Sequence, residues 1–416
     1  MIAWRALANR NYRVYFGGYL LSQVGAWVHR LAQAWFVLEL TDSALALGLL
    51  AIVEFSPMLL LSPIAGALGD RFARRRLLVY VQVVLTLQGL ALAWLVLGGS
   101  AVVWQVYAFA FLWGVAHALD GPIKHAFIAD LVPRADLPSA VGLNAASMNG
   151  ARILGPALGG VAISTLGIGW CFLFSGLSHL AVLGAIALVR VHAPAAREIA
   201  TGIVQDVRDG MRYARRAPEI AIPLVILAFM GTFGYNFGVA LPLLARYSFD
   251  SGALGFGLMN AAMGFGALCG GVLVASRAAP TDRVLSTSAG LFTLLLFAVS
   301  RLSQLELAIV VLWCLGFSGV FYTASTQAAL QLRTDERFRG RVMGLYTLIF
   351  GGLTPLGSGF TGAAANAFGI RDALAINAVI CLIGSTAVAW ALARRLRGPR
   401  PYLVATASDR VPADTH

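Results

Sequence analysis

Gly66-Ala-Leu-Gly-Asp70-Arg71-Phe-Ala-Arg74-Arg75-Arg76 sets four arginines and one carboxylate between two long apolar runs, 44–67 and 77–98. Each run is long enough to cross a hydrocarbon core of about 30 Å as a helix. A short arginine-rich loop between two such runs fixes sidedness, because it stays on the cytoplasmic face. Outward from this loop the pattern repeats, with further apolar runs at 12–40, 102–126, 138–166, 169–190, 219–245, 252–276, 284–300, 305–330, 341–368 and 371–394. Of 31 Lys and Arg, 26 fall in the two tails, every second loop or the run ends that border them (Lys124, Arg190, Arg341 and Arg394 among these), and 3 (Arg246, Arg301, Arg371) at the intervening turns. The remaining two, Arg30 and Arg152, lie inside apolar runs. This alternation predicts an all-α polytopic membrane protein with twelve transmembrane helices and both termini cytoplasmic.

Composition agrees: 59% of the residues are hydrophobic and 12% charged, too apolar for a soluble chain of 416 residues. The net charge of +12 is spread over short loops, where topology and anionic headgroups account for it. The partner it implies is a lipid bilayer, with no nucleic acid. Cys171, Cys269, Cys314 and Cys381 sit within apolar runs without paired spacing or His partners, so they read as small buried hydrophobes, and no metal site or cofactor is expected. Met1–Arg13 is basic, but the run after it is too long and lacks a small-residue cleavage site, so no cleaved leader is expected.

The one substantial hydrophilic insert, 191–218, divides the chain into a six-helix bundle at 1–190 and another at 219–400, followed by a disordered tail at 401–416. Within the insert, Ile203, Val207 and Met211 recur at helical spacing among Arg208, Arg212, Arg215 and Arg216, the pattern of an amphipathic helix on the cytoplasmic interface. A shift of 199 residues aligns Arg134 and Asp136 with Arg333 and Asp335, Pro156 with Pro355, and Gly160 with Gly359. With six runs on each side, these matches support two parallel pseudo-repeats.

Ionisable groups inside a bilayer are costly and read as functional by default. Glu54 falls near the middle of the second run and Arg30 in the outer part of the first. Antiparallel neighbours would bring the two to similar depth, as a proton-coupling pair or as a static ion pair. Asp120 and Lys124 stand four residues apart on the fourth run, and His117 lies one turn from Asp120; Asp120 and His117 are secondary proton-coupling candidates. His179 is a weaker one. Arg152, four residues before Pro156, could balance a carboxylate, hold an anionic substrate or bond carbonyls freed by the proline. Phe233-Gly-Tyr235-Asn236-Phe237-Gly-Val-Ala-Leu-Pro242 is an aromatic and polar cluster in a glycine-broken helix. With Gln23, Tyr322 and Gln327 it describes a substrate cavity that is apolar, aromatic and sparing in hydrogen-bonding groups.

Two motifs carry a family resemblance. Gly66 through Arg76 resembles the signature loop of the major facilitator superfamily, a glycine, an aspartate four residues on and a basic run, although Ala73 replaces the usual second glycine. The second half keeps only a vestige, Gly271-Val-Leu-Val-Ala-Ser-Arg277, without an aspartate. The resemblance implies a cytoplasmic gate built from Gly66, Asp70, Arg71 and Arg74, in which Asp70 latches onto helix N-terminal amides around Gly340. Gly142, then Ala151, Gly155-Pro156 and Gly159-Gly160 resemble the antiporter motif, with one glycine replaced by alanine. Small residues on one face permit close helix contact, and Pro156 removes a backbone bond.

Asn9-Arg-Asn-Tyr-Arg13, Leu131-Val-Pro-Arg-Ala-Asp-Leu-Pro138, Arg152-Ile-Leu-Gly-Pro156 and Arg339-Gly-Arg-Val-Met-Gly344 with Thr354-Pro-Leu-Gly357 are similar to the bacterial enterobactin exporter and macrolide efflux subfamily. That resemblance implies a monomeric inner-membrane pump exporting an amphipathic drug, macrolide or siderophore in exchange for protons. Uptake of a small polar solute and a non-transporting sensor remain as alternatives. An enzyme is not expected, since no HExxH, GxSxG, CxxC or GxxxxGK[ST] stretch occurs.

Overall fold

In a computed structural model the described residues are 2–71, 73–189, 203–276 and 280–397; the side chains of 2, 3, 60, 62–71, 122, 203–207, 216, 388, 389 and 391–397 are excluded from that description. Every regular element among them is helical. Before the insert come α1 (Arg10–Thr41), α2 (Ala44–Arg71), α3 (Arg74–Leu97), α4 (Val103–Leu131), α5 (Leu137–Thr165) and α6 (Ile168–Leu188). The insert carries α7 (Ile203–Arg216), and its residues 191–202 and the tail 401–416 lie outside the described residues. After it come α8 (Pro218–Phe229), α9 (Phe237–Leu243), α10 (Gly252–Ala275), α11 (Asp282–Arg301), α12 (Leu305–Arg333), α13 (Glu336–Gly352), α14 (Thr354–Phe368) and α15 (Ile370–Arg397).

Eight helical stretches among the described residues are long and apolar enough to cross a membrane. The other four expected spans fall on α1, α2, α5 and the α13–α14 pair, and each has a physical reason to stand apart. The first turns of α1 hold Arg10, Asn11 and Arg13, and α5 carries Asn144, Asn149, Arg152 and several glycines. The apolar part of α2 among the described residues ends at Leu59. Leu353 interrupts α13–α14 just before Pro355, which has no N–H to continue the ladder.

Local chemistry sets the ends. The Asn9 side chain accepts from the N–H groups of Asn11 (2.9 Å) and Tyr12 (3.3 Å), capping α1. Gly167 (φ 96°) turns α5 into α6 and Gly369 (φ 81°) turns α14 into α15, a left-handed backbone that glycine adopts at little cost. The two stand at corresponding places on either side of the insert. The expected span at 219–245 is broken: Met230–Gly234 is π-helical, Tyr235 and Asn236 leave the helix, and α9 resumes at Phe237.

Before the insert, α3 packs on α6, α1 on α5 and α6, and α2 on α4; after it, α10 and α11 pack on α12, and α11 and α8 on α15. The two groups meet where α5 crosses α10 and α2 crosses α14. Both crossings are glycine on glycine. A Cβ at Gly160 would lie 2.9 Å from the Gly257 Cα, and one at Gly362 would lie 2.9 Å from the Gly48 Cα. Lipid tails are as apolar as leucine, so van der Waals contact between backbones holds such crossings together.

Candidate functional site

α1 and α2 run antiparallel from the turn at Asp42, which brings Arg30 and Glu54 level. The Arg30 Nε lies 2.9 Å from the Glu54 Oε1, and Glu54 is buried at 8% exposure. Trp27, Phe55 and Trp113 place their rings 5.5, 5.1 and 5.4 Å from the same guanidinium. A Cβ at Gly114 would collide with the Glu54 carbonyl oxygen, so α4 closes tightly over the carboxylate's backbone. The sequence-expected pair is therefore in contact inside an aromatic cage.

A second polar set lies along α3, α4 and α6. Lys124 Nζ donates to Asp120 Oδ2 at 2.6 Å, and Gln82 Nε2 donates to Asp120 Oδ1 at 3.1 Å. Gln82 Oε1 in turn meets His179 Nδ1 at 2.8 Å. The Lys124 ammonium also lies 4.8 Å from the Tyr19 ring centre. His117 is not hydrogen-bonded to Asp120; it stacks on Trp113 with ring centres 3.6 Å apart. His29, next to Arg30, is fully buried and shares a 3.2 Å contact with Gln88 Nε2. Sequence reading missed Gln82, Gln88 and His29, whose signal was simply polar atoms in apolar runs. The partner of His179 lies 97 residues away in the chain, beyond the reach of a reading by local spacing.

Arg152 pairs with no carboxylate among the described residues, and its guanidinium sits 5.9 Å from the Trp27 ring centre. Trp27 thus has Arg30 and Arg152 against one indole. The α5 glycines divide between partners. A Cβ at Gly155 would collide with the Trp27 Cβ, one at Gly159 would lie 3.0 Å from Leu31 Cδ2, and Gly160 meets α10. Pro156 is buried, and its carbonyl oxygen would lie 2.6 Å from a Cβ at Gly257. Gly142 faces open space and takes no part in the close contact expected from the motif, whereas Ala151 is fully buried.

The facing group is aromatic. At the break in the helix, the Tyr235 hydroxyl donates to the Gly319 carbonyl at 2.8 Å, and its ring stacks on Phe292 at 4.8 Å and meets Phe350 edge-on at 5.3 Å. Phe237 adds an edge contact to Tyr235 at 6.2 Å. Asn236 is buried, donates to the Thr232 carbonyl at 2.7 Å and accepts from Ser358 Oγ at 3.2 Å. The Asn236 side chain thus satisfies one carbonyl of the opened backbone internally. Tyr322 is buried, Gln23 is half-buried without a hydrogen bond among the described residues, and Gln327 is exposed.

At the basic end, the side chains of Gly66, Asp70 and Arg71 lie outside the described residues. Arg74 grips both oxygens of Asp130 at 2.9 and 3.0 Å, tying α3 to the end of α4, a partner sequence reading missed. At the opposite end Asp42 receives hydrogen bonds from Arg246 Nη2 (3.1 Å) and the Tyr247 hydroxyl (2.9 Å), which link the two groups. No cluster of His, Cys, Asp and Glu suited to a metal ion occurs among the described residues.

A helical protein whose two groups touch glycine on glycine and face each other across intramembrane charges and aromatic rings has the form of a secondary transporter. Solved structures share the fold. One is a bacterial homolog of the human lysosomal transporter spinster, inward-facing and unoccupied (TM-score 0.73, 16% identity, 93% of this chain and 97% of that one). Another is a POT family transporter in complex with a thioalcohol-conjugated peptide (TM-score 0.73, 10% identity, 93% of this chain and 97% of that one). The transmembrane secretion effector family matches residues 1–398, and the chain belongs to that major facilitator family. Its relatives include the staphyloferrin A transporter of Staphylococcus aureus, 25% identical over 92% of this chain and 97% of that protein. Macrolide efflux protein A of Streptococcus pyogenes is 21% identical over 88% and 93%, and multidrug efflux pump Tap of Mycolicibacterium fortuitum 26% over 89% and 93%.

Proposed function

We propose that this chain is a proton-coupled antiporter that exports an amphipathic small molecule from the bacterial cytoplasm by alternating access. It works as a monomer with twelve inner-membrane crossings, both termini cytoplasmic, and bundles at 1–190 and 219–400 joined by the amphipathic linker 191–218. The observation that carries the proposal is the contact of half-buried Arg30 with buried Glu54 in its cage of Trp27, Phe55 and Trp113. Breaking a buried ion pair costs about 3–5 kcal/mol. Inverting a 99:1 conformational equilibrium takes about 5.5 kcal/mol, so one proton on Glu54 supplies part of a switch.

Support for the cargo class comes from the aromatic wall of Tyr235, Phe237, Phe292 and Phe350 and from the relatives named for macrolide and multidrug efflux. Asp120 with Lys124 is a structural pair in this scheme, and Asp70 the cytoplasmic latch. The test is efflux of fluorescent amphiphiles from cells that express the protein, with and without uncoupler. Expression should lower dye retention, uncoupler should restore it, and Asp70→Asn should abolish the difference at normal membrane levels. Efflux that survives uncoupler contradicts proton drive.

A further inference from the structure

The helix α7 docks on the start of α13, on the end of the molecule that collects the basic loops. A Cβ at Gly210 would lie 3.1 Å from the Arg341 carbonyl oxygen, so the two backbones nearly touch. Tyr213 stacks on Phe338 with ring centres 4.5 Å apart, and Tyr213 and Asp335 exchange hydrogen bonds of 3.3 and 3.4 Å. Between the helices lies a cavity of about 240 Å³ lined by Asp209, Arg212, Tyr213, Arg337, Phe338 and Arg341.

Three guanidiniums line this cavity with the Asp209 carboxylate among them, and the Asp335 carboxylate stands beside it on Tyr213. Asp209 stands 3.9 Å from Arg212 and 3.7 Å from Arg341, longer than a charge-assisted hydrogen bond of about 2.7–2.9 Å. Arg337 has no carboxylate partner among the described residues and lies, with Arg341, against the Phe338 ring at 5.9 and 5.6 Å. Planar guanidinium forks match phosphate oxygens two at a time. The aromatic pair forms an apolar wall beside the charges, suited to the glycerol end of a lipid headgroup.

We propose that this cavity is a binding site for a phosphate-bearing anion, the phosphodiester headgroup of an acidic phospholipid or free phosphate, held by Arg212, Arg337 and Arg341. A lipid seated there clamps the linker to the helix that follows the last basic loop, and so makes the hinge between the two helix groups sensitive to the composition of the inner leaflet.

The test uses the full chain purified in neutral detergent, with thermal unfolding followed by tryptophan fluorescence. The probes are dihexanoyl-phosphatidylglycerol below its micelle concentration, dihexanoyl-phosphatidylcholine and inorganic phosphate. The phosphatidylglycerol arm should show a saturable rise in Tm, and the Arg212→Gln/Arg337→Gln variant should weaken that binding at least about tenfold, about 1.4 kcal/mol. Arg208→Gln/Arg215→Gln removes the same charge from exposed positions of α7 outside the cavity, and should leave binding within about twofold. Arg212→Lys/Arg337→Lys keeps the charge that directs topology and should lose part of the affinity with the fork geometry. Saturation by inorganic phosphate at the same concentrations identifies the occupant as free phosphate; a response confined to phosphatidylglycerol identifies lipid. Equal responses to phosphatidylglycerol and phosphatidylcholine in wild type, an equal loss in the Arg208/Arg215 control, or no saturable binding of any probe overturns the proposal.

Discussion

The helices before the insert and those after it share a topology but line their interiors with opposite chemistry. Inside the first group lie Arg30, Glu54, Asp120, Lys124 and Arg152, with His29, His117 and His179 among them. Among the described residues after Pro218 every charged residue falls within two turns of a helix end or in a loop, and the interior is built from Tyr235, Phe237, Phe292, Tyr346 and Phe350. Each interior charge costs at least about 2.5–3.5 kcal/mol in a bilayer, so confining them to one group is a specialisation and not a consequence of folding. The division suggests that one wall handles ions while the other shapes itself to an apolar cargo.

The largest effect that sharpens this contrast is expected at Arg30. Arg30→Gln strands Glu54 and should lower stability by about 3–5 kcal/mol, read as a drop in Tm in detergent. Arg30→Gln/Glu54→Gln should recover most of the loss, because a neutral pair carries no stranded charge. A single variant as stable as wild type would remove the first group's distinction.

Next in size is the boundary between the groups. Gly160→Leu must displace the backbone of α10 at Gly257, and should cost about 1–3 kcal/mol while arresting transport. Gly142→Leu, at the open end of the same motif, should leave both unchanged. Equal damage from the two would show that the motif acts through something other than helix contact.

A smaller effect is expected on the aromatic wall. Tyr235→Phe keeps the ring stack on Phe292 and loses the bond to the Gly319 carbonyl, a loss of about 0.5–1.5 kcal/mol. Cargo affinity should change less than threefold, whereas Tyr235→Ala should weaken it by more. The smallest is Asp42→Asn at the exposed link opposite the basic loops, about 0.2–1 kcal/mol, with its trace in the rate of opening at that end measured by cross-linking.

Much of this was legible in the sequence. Eight of the expected spans follow from apolar length alone, and Arg30 meets Glu54 because two antiparallel neighbours joined by a two-residue turn stand level at that distance from it. The break at Tyr235 and Asn236 was visible as glycine beside polar residues. Contacts between distant segments were not. Arg74 with Asp130, Gln82 with His179, and Asp42 with Arg246 depend on how helices pack, and apolar length is silent on that. The motif spacing likewise gave Gly142 and Gly155 equal standing, although only helix rotation decides which one faces a partner.

The claim that the charged wall couples protons to transport is tested most directly in proteoliposomes holding Glu54→Gln, a carboxyl fixed in its neutral form. With an imposed pH difference, wild type should accumulate an amphipathic fluorescent cargo against its gradient. Glu54→Gln should exchange the same cargo across the membrane at near wild-type rate and accumulate none. Uphill accumulation by Glu54→Gln would contradict the assignment and move the coupling site elsewhere, with Asp120 the next carboxylate to replace.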